Sequence, residues 1–329
     1  HYRCHPLIIG FCNKQFYNSQ LITMTKRDSE DNPLSIIRSV KGNHARGTQN
    51  RRQAEDIIEI IKQLKDSYED IGIIAPYRAQ AALISSLLQE NNLPKYHVST
   101  VHKFQGREND VIILSTVNNE IQEFIDDPHL LNVAVSRAKK KFILAITGND
   151  IADSNIRDLV DYITYYNGEV KESQICSIFD ILYKQYAEER IKFIQSRTSV
   201  SQYESENIMF ALLDDIISTP EWNHLGIMLQ YPLRLLVKSD ALLTENEKEY
   251  TNRSWTLVDF VLYNKTTKLP VLAIEVDGMA FHKSGSEQSK RDAFKNAALE
   301  KAHIPLLRLS TDGSNEREKI INALSKQKD

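Results

Sequence analysis

The chain is 329 residues long, 41% hydrophobic and 26% charged, with a formal net charge of −3. That length allows two domains with separate cores, and the near-neutral charge excludes a chain that is basic throughout, so any nucleic-acid surface is a local patch. Three cysteines are too few for a disulfide framework, and no apolar run reaches the roughly 18 residues that span a bilayer. We therefore expect a cytoplasmic protein that does not contact a membrane.

The first half alternates helical and strand-like patterns. Apolar runs without polar alternation are typical of buried strands, and they occur at residues 71–75, 98–101, 111–117 and 142–146. Apolar residues at helical spacing lie between or before them, at residues 54–64, 82–88 and 130–140. Such an alternation predicts an α/β domain whose parallel sheet is covered by helices on both faces. A further helix and Asn167-Gly168 end this domain at residue 168.

The second half has a different pattern. A polar helical stretch predicts a connector over 169–198, and the rest, 199–329, forms a smaller α/β domain. Its predicted elements are a helix carrying Glu206, strands at 257–263 and 270–278, a helix at 290–302 and a strand at 305–309.

Four segments of the first half place polar residues at strand ends or helix starts, where α/β domains bind ligands. They are Tyr2-Arg3-Cys4-His5-Pro6, Pro76-Tyr77-Arg78-Ala79-Gln80, Val101–Glu108 and Asn132–Lys139. In this order and spacing they resemble the motifs of the second RecA-like domain of superfamily one helicases. The branch they resemble most contains the nonsense-mediated-decay and DNA-repair helicases. This resemblance covers about half of the chain and implies an ATP-dependent helicase.

The resemblance also implies roles at a nucleotide. Arg3 and Arg137 would reach the γ-phosphate of ATP, since a planar guanidinium suits the charge on phosphoryl oxygens. Gln105 and Gly106 would link the nucleotide to the nucleic-acid strand, and Glu108 would approach the ribose. The alternative for the two arginines is a surface salt bridge.

Other positions would face the nucleic acid. By the same resemblance, Tyr77, Arg78, Thr100 and His102 would lie towards the backbone of a bound strand. The expected strand is single-stranded DNA, with RNA as the alternative. Tyr77 and His102 could instead cap the sheet.

A phosphate-binding loop is missing from the sequence. No Gly-x-x-x-x-Gly-Lys-Ser/Thr segment occurs, and no Asp-Glu pair ends a strand of the first domain. We therefore expect ATP to be shared with an N-terminal RecA-like domain of the same protein, and the chain alone not to hydrolyse it. Because the chain opens inside the first motif, at His1, we expect it to be the C-terminal part of a longer protein.

Three carboxylates of the second half fall on two predicted strands. Glu275 and Asp277 are two apart and share a face, and Asp259 can join them from the neighbouring strand. Converging carboxylates are reasonable if they bind Mg²⁺, with Glu206 as a fourth ligand. If they bind no metal, they are acids on a solvated strand face.

These positions resemble the PD-(D/E)xK nuclease fold, most closely endonuclease domains of the very-short-patch-repair type. The corresponding residues are Glu206, Val258-Asp259-Phe260, Ile274-Glu275-Val276-Asp277-Gly278 and His282. The resemblance implies Mg²⁺-dependent DNA cleavage in a helicase–nuclease used in DNA repair or phage defence.

One position departs from that pattern, because Asp277 stands where the fold has a lysine. His282, Lys290 or Lys295 could supply the missing donor. The alternative is a domain that binds nucleic acid as a clamp without cutting it. A third interpretation, a degenerate motor in a structural protein, is disfavoured by the retention of Arg3, Gln105, Glu108 and Arg137.

Overall fold

The computed structural model describes residues 3–25, 32–104, 106–237, 243–278 and 287–327, without the side chains of residues 185 and 287–290. The predicted roles of Gln105, His282 and the Lys290 side chain therefore lie outside the described residues. Contacts between residues divide the chain into two units, residues 1–176 and 177–329. Within the described ranges, no helix is both long and apolar enough to cross a membrane.

The first unit is built on a parallel six-stranded sheet with the order β5-β4-β6-β7-β1-β8. Its strands are β1 (Leu34–Ser39), β4 (Ile71–Ala75), β5 (His97–Thr100), β6 (Asn109–Ser115), β7 (Ala138–Thr147) and β8 (Glu169–Glu172). A short hairpin is formed by β2 (Ala45–Arg46) and β3 (Gln49–Asn50). The helices are α1 (Pro6–Phe16), α2 (Arg51–Leu64), α3 (Arg78–Glu90), α4 (Val101–Phe104), α5 (Pro128–Val135) and α6 (Asn155–Tyr165). The α/β class is confirmed, and the parallel sheet is consistent with a RecA-like domain.

Both faces of this sheet are buried, which explains the uninterrupted apolar runs of the sequence. Ile74 and Ile112 belong to a core on the side of α1, α5 and α6. Ile73 and Ile113 point to the opposite side and pack with α2 and α3. Because successive strand residues face opposite ways, a strand that is covered on both faces is expected to be apolar at most of its positions.

Three segments of the first unit differ from expectation. The helical pattern predicted over 130–140 ends at Val135, because pairing with β6 turns the chain into β7 from Ala138 onwards. Strand β1 was not predicted. Residues Glu169–Glu172, predicted to belong to the connector, form the exposed edge strand β8 beside β1. The division between the units accordingly falls after Cys176 rather than at 168.

The predicted connector helix is also interrupted. Residues Ile178–Leu182 and Lys184–Tyr186 form 3-10 turns, and only Ala187–Gln195 is α-helical, named α7. Ser177 and Asp180 form a capping box that starts the first turn, and Phe179 is buried in a core of the second unit. This burial makes the segment part of the second unit.

The second unit contains a four-stranded mixed sheet with the order β12-β11-β10-β9. The strands are β9 (Leu225–Pro232), β10 (Leu257–Asn264), β11 (Pro270–Asp277) and β12 (Leu306–Ser310). The helices are α8 (Glu204–Ile217), α9 (Leu233–Leu236), α10 (Glu245–Asn252), α11 (Glu287–Lys301) and α12 (Glu316–Ser325). The predicted hairpin of β10 and β11 is antiparallel, whereas β11 and β12 are parallel. The sequence patterns missed β9, α9, α10 and α12.

Candidate functional sites

Three charged residues of the first unit meet at the amino ends of β6 and β7. Glu108 comes just before β6, and Arg137 comes just before β7. Arg3 reaches them because the backbone N–H of His5 donates to the carbonyl of Lys139 at 2.8 Å. The guanidinium of Arg3 lies 2.5 Å from the Glu108 carboxylate. The three predicted nucleotide-contacting residues are therefore brought together by the pairing of neighbouring strands.

Arg137 is held by the last turn of α5, which it follows in the chain. Its Nε donates to the carbonyl of Val133 at 3.2 Å, and Nη2 donates to the Ser136 hydroxyl at 3.3 Å. The side chain is half-buried and lines a cavity of about 370 Å³. The other lining residues are Arg3, Ile9, Tyr17, Leu21, Glu108, Asn132 and Ser136. Two guanidiniums at one cavity form a suitable site for an anion such as a phosphate.

Tyr17 and Asn132 also line this cavity, although the sequence assigned neither of them a role at the nucleotide. The amide of Asn132 donates to the Tyr17 hydroxyl at 2.8 Å, which links α5 to the end of α1. Asn132 opens the fourth of the segments that resemble helicase motifs, but its contact with Tyr17 joins positions 115 residues apart and could not be predicted from spacing.

The thiol of Cys4 lies among the same charges. Its pKa is raised to about 11, mainly by burial and then by the negative charge of Glu108. Burial likewise raises the pKa of Cys12 to about 12. Both side chains therefore stay protonated near neutral pH, which disfavours a nucleophile or a metal-binding thiolate here.

The residues predicted to face nucleic acid lie at the opposite edge of the sheet. Tyr77 and Arg78 follow the carboxyl end of β4, whereas Thr100 and His102 lie at the carboxyl end of β5. Arg78 and His102 are exposed. The Tyr77 ring stacks on Phe124, with ring centroids 5.6 Å apart and planes inclined by 25°. The four residues therefore share one edge of the sheet, because β4 and β5 are neighbouring parallel strands.

A buried amide network supports this edge. Gln80 accepts from the backbone N–H of Asn50 at 2.8 Å, and its amide donates to the Asn50 carbonyl at 3.0 Å. The Asn50 side chain donates to the Val117 carbonyl at 2.6 Å, and the Val117 N–H donates to Gln53 at 2.9 Å. These bonds hold Val117 in a left-handed conformation with φ of 69°, which is strained for a β-branched residue. The sequence patterns did not predict this network.

The two edges are joined by one short segment. Helix α4 begins directly after β5 at the carboxyl edge, and the chain reaches Glu108 at the amino edge four residues after α4 ends at Phe104. Gly106 lies in this passage with φ of 86°, a conformation that favours glycine. The segment that resembles a helicase motif thus touches both surfaces.

In the second unit, Asp259 and Glu275 lie side by side on β10 and β11. The Asp259 N–H donates to a Glu275 oxygen at 3.4 Å, and the Val276 N–H donates to Asp259 at 2.8 Å. Burial, followed by the charge of Glu275, raises the pKa of Asp259 to about 7, and Glu206 acts in the same direction. Of the predicted acids, Glu275 and Glu206 therefore both act on Asp259.

Lys295 of α11 belongs to the same cluster. Its ammonium lies 2.7 Å from Glu275 and donates to the Leu257 carbonyl at 2.8 Å. Lys295 is 8% exposed and Glu275 is 6% exposed. Burial raises the pKa of Glu275, and Lys295 opposes that shift. The pair is an ion pair largely removed from water.

Asp277 has an ion-pair partner that the sequence patterns did not predict. Its carboxylate pairs with Arg308 of β12 at 2.9 Å, and Arg308 also contacts Asp292 at 3.3 Å. Parallel pairing of β11 with β12 places Arg308 opposite Glu275 in register, within reach of Asp277. Among the residues that the structure covers, no group of three or more Asp, Glu, His or Cys is arranged to hold a metal ion.

The raised pKa of Asp259 predicts a pH-dependent stability. Because the folded-state pKa of about 7 exceeds the reference value of 3.8, protonated Asp259 stabilises the fold at low pH. That stability is lost as the pH rises from about 4 to about 7. In metal-free buffer, Asp259→Asn should therefore match the wild type at pH 4. Above pH 7 it should be more stable, by on the order of 2–4 kcal/mol.

Tryptophan fluorescence during urea unfolding measures this effect in the second unit, since both tryptophans, Trp222 and Trp255, belong to it. The control is Asp214→Asn, at an exposed position of α8. A difference from wild type that does not change with pH would contradict the prediction.

Comparison with known proteins relates the first unit to helicases. Residues 1–150 match a family described as an AAA domain, and residues 201–327 match a family described as a protein of unknown function. An uncharacterized ATP-dependent helicase of Methanocaldococcus jannaschii is 33% identical over 168 residues, 44% of this chain and 25% of that protein.

Two further relatives are eukaryotic. Regulator of nonsense transcripts 1 of Dictyostelium discoideum is 35% identical over 175 residues, 45% of this chain and 13% of that protein. The DNA replication ATP-dependent helicase/nuclease of Bos taurus is 46% identical over 79 residues, 23% of this chain and 7% of that protein. The chain spans a quarter or less of the length of each of these relatives. Its first unit is a superfamily one helicase-like domain.

Proposed function

We propose that the first unit is the second motor domain of an ATP-dependent helicase that moves on single-stranded DNA. The observation that carries this proposal is the meeting of Arg3, Glu108 and Arg137 at one cavity. A motor of this class binds ATP between two RecA-like domains. The partner is then an N-terminal RecA-like domain of the same protein, which supplies the phosphate-binding loop that this sequence lacks.

Within that arrangement, Arg3 and Arg137 contact the γ-phosphate of ATP. Their fixed positive charges stabilise the negative charge that spreads over the phosphoryl oxygens during transfer. The Glu108 carboxylate holds Arg3 at the cavity before the nucleotide binds, because the pair is only 2.5 Å apart. Tyr17 and Asn132 line the same cavity and are added to the proposed nucleotide site.

Coupling between nucleotide and strand follows from the position of residues 101–108. Thr100 and His102 contact the strand backbone at the carboxyl edge, together with Tyr77 and Arg78. Gln105, Gly106 and Glu108 continue to the nucleotide. DNA is favoured over RNA because the relative with the highest identity of the three described is a DNA replication helicase/nuclease.

ATP hydrolysis tests this proposal. We expect the longer protein that contains both motor domains to hydrolyse ATP faster when single-stranded DNA is added, and the 329-residue chain alone to be inactive. Hydrolysis by the chain alone, or no stimulation in the longer protein, would refute it.

We propose as a second activity that the other unit is a metal-dependent nuclease acting on the same DNA. The favouring observation is the buried group of Asp259, Glu275 and Lys295, a pattern in which Lys295 replaces the lysine absent at position 277. Helicase and nuclease would then act together in DNA repair or phage defence.

Two of the three predicted strand carboxylates are available to bind Mg²⁺. Asp259 and Glu275 supply two carboxylates, with Glu206 nearby, whereas Asp277 is engaged by Arg308. Two carboxylates suffice for Mg²⁺ when water and substrate phosphate complete its six ligands. Bound there, the ion would stabilise phosphodiester charge and lower the pKa of a water molecule. Lys295 would hold Glu275 in place and donate to a phosphate oxygen.

Cleavage of labelled single- and double-stranded DNA in Mg²⁺ or Mn²⁺ tests the nuclease. Asp259→Ala with Glu275→Ala is expected to abolish cutting, and the exposed Asp214→Ala to leave it unchanged. In the absence of DNA, Mg²⁺ should raise the unfolding midpoint of the wild type and not of the double variant. DNA binding without cutting in either metal would favour the non-cleaving clamp instead.

A further inference from the structure

The aromatic pair at the carboxyl edge of the first sheet borders a cavity. Phe124 lies on the connection between β6 and α5 and is 44% exposed, which is high for a phenylalanine. The stack with Tyr77 fixes the plane of its ring. An exposed and oriented aromatic ring is suited to stacking on a flat ligand.

The cavity has an apolar floor and a polar rim. Its volume is about 620 Å³, within the roughly 300–1,000 Å³ of small-molecule sites. Val101 and Leu130 are buried at its base, and Val133 and Phe124 complete the apolar lining. The rim consists of His102, Glu123, Asp127 and His129. A nucleobase matches this chemistry, because its faces are apolar and its edges donate and accept hydrogen bonds.

The surrounding charges favour a base over a phosphate. Glu123 and Asp127 would repel a phosphate, whereas a carboxylate accepts readily from the amino groups of bases. Arg78, at the start of α3, supplies a cation that suits the phosphates, and His102 at the rim can donate a hydrogen bond to one. We infer that one base of the bound single strand inserts into this cavity and stacks on Phe124. The inference rests on the proposed strand-binding function of this edge and adds a residue to it.

The test compares two labelled strands of equal length, one with normal bases and one abasic, binding to the whole chain. The wild type should bind the normal strand about 10-fold or more tightly than the abasic strand, a typical effect of one stacked base. Phe124→Ala should lose affinity for the normal strand alone, by a similar factor. Phe124→Trp should keep the preference, because it keeps a stacking surface.

The matched control is Tyr165→Ala, which removes an aromatic side chain that is 77% exposed on α6 of the same unit. It should bind both strands as the wild type does. If Phe124→Ala keeps the wild-type preference for bases, the inference is refuted while strand binding stands. If the wild type binds neither strand, both the inference and the proposed strand-binding function are refuted.

Discussion

Replacing Lys295 by methionine is expected to lower the free energy of unfolding of the second unit by about 3–5 kcal/mol. The substitution keeps an aliphatic chain of similar size but leaves the Glu275 carboxylate buried without its cation, which now lies 2.7 Å away. It also removes the hydrogen bond to the Leu257 carbonyl. The loss should be larger at pH 8 than at pH 5, because Glu275 can escape the cost by taking up a proton.

Denaturant unfolding followed by tryptophan fluorescence measures this loss. Adding Glu275→Gln to Lys295→Met removes the orphaned charge, so the double variant should recover much of the stability. Lys248→Met on α10 is the matched control. It breaks an ion pair with Glu245, whose side chain is 90% exposed. A change below about 1 kcal/mol is expected there. An equal effect of the two lysine substitutions would mean that water reaches Glu275.

Replacing Arg137 by alanine is expected to lower kcat for DNA-stimulated ATP hydrolysis by about 1,000-fold in the longer protein proposed above. The expected change in KM is small, since the guanidinium acts mainly on charge that develops during phosphoryl transfer. Arg137→Lys should restore only part of the rate, because an ammonium cannot donate two parallel hydrogen bonds as a guanidinium can.

The rate is measured with saturating single-stranded DNA and varied ATP. Arg157→Ala is the control, since Arg157 pairs on the surface of α6 with Asp161 at 3.0 Å. This variant should hydrolyse ATP at the wild-type rate. A fall of less than about threefold in the Arg137→Ala variant would make Arg137 a structural residue of the cavity wall and remove it from the proposed catalytic residues.

The fold of the first unit was largely predictable because its physical cause is local. Most inner strands are apolar because they are buried on both faces, and Ile71–Ala75 shows this in five consecutive residues. Strand β1 is the exception and was missed, because Ser35, Arg38 and Ser39 interrupt its apolar run. Strand β8 was not predictable in that way. It lies exposed at the sheet edge, and its four residues include Glu169, Lys171 and Glu172. Pairing with β1, more than 130 residues away, determines its structure.

In the second unit, residue spacing predicted which side chains share a strand face but not which partners they contact. Spacing of two placed Glu275 and Asp277 on the same face of β11, but it could not show that Arg308 from β12 would pair with Asp277. The sequence proposed three candidate donors for the missing lysine, and the packing of α11 brings Lys295 to Glu275. Phe124 was missed for a related reason, since its partner Tyr77 lies on another connection of the sheet.

Gln53 of α2 shows how firmly the strand-facing edge is fixed. Its amide nitrogen donates to the hydroxyls of Thr116 and Thr147, and its oxygen accepts from Ser115 and from the Val117 N–H. These four bonds use the whole capacity of one side-chain amide. A glutamate could not donate the two bonds to the threonine hydroxyls, and the side chain of an asparagine is one carbon too short to reach the same partners. The connection that carries Phe124 is therefore anchored to α2 through Gln53. Ser115 also accepts from the amide of Gln80, in the helix that follows Tyr77, at 3.3 Å. Because Ser115 joins the two connections in this way, a displacement of one ring would displace the other.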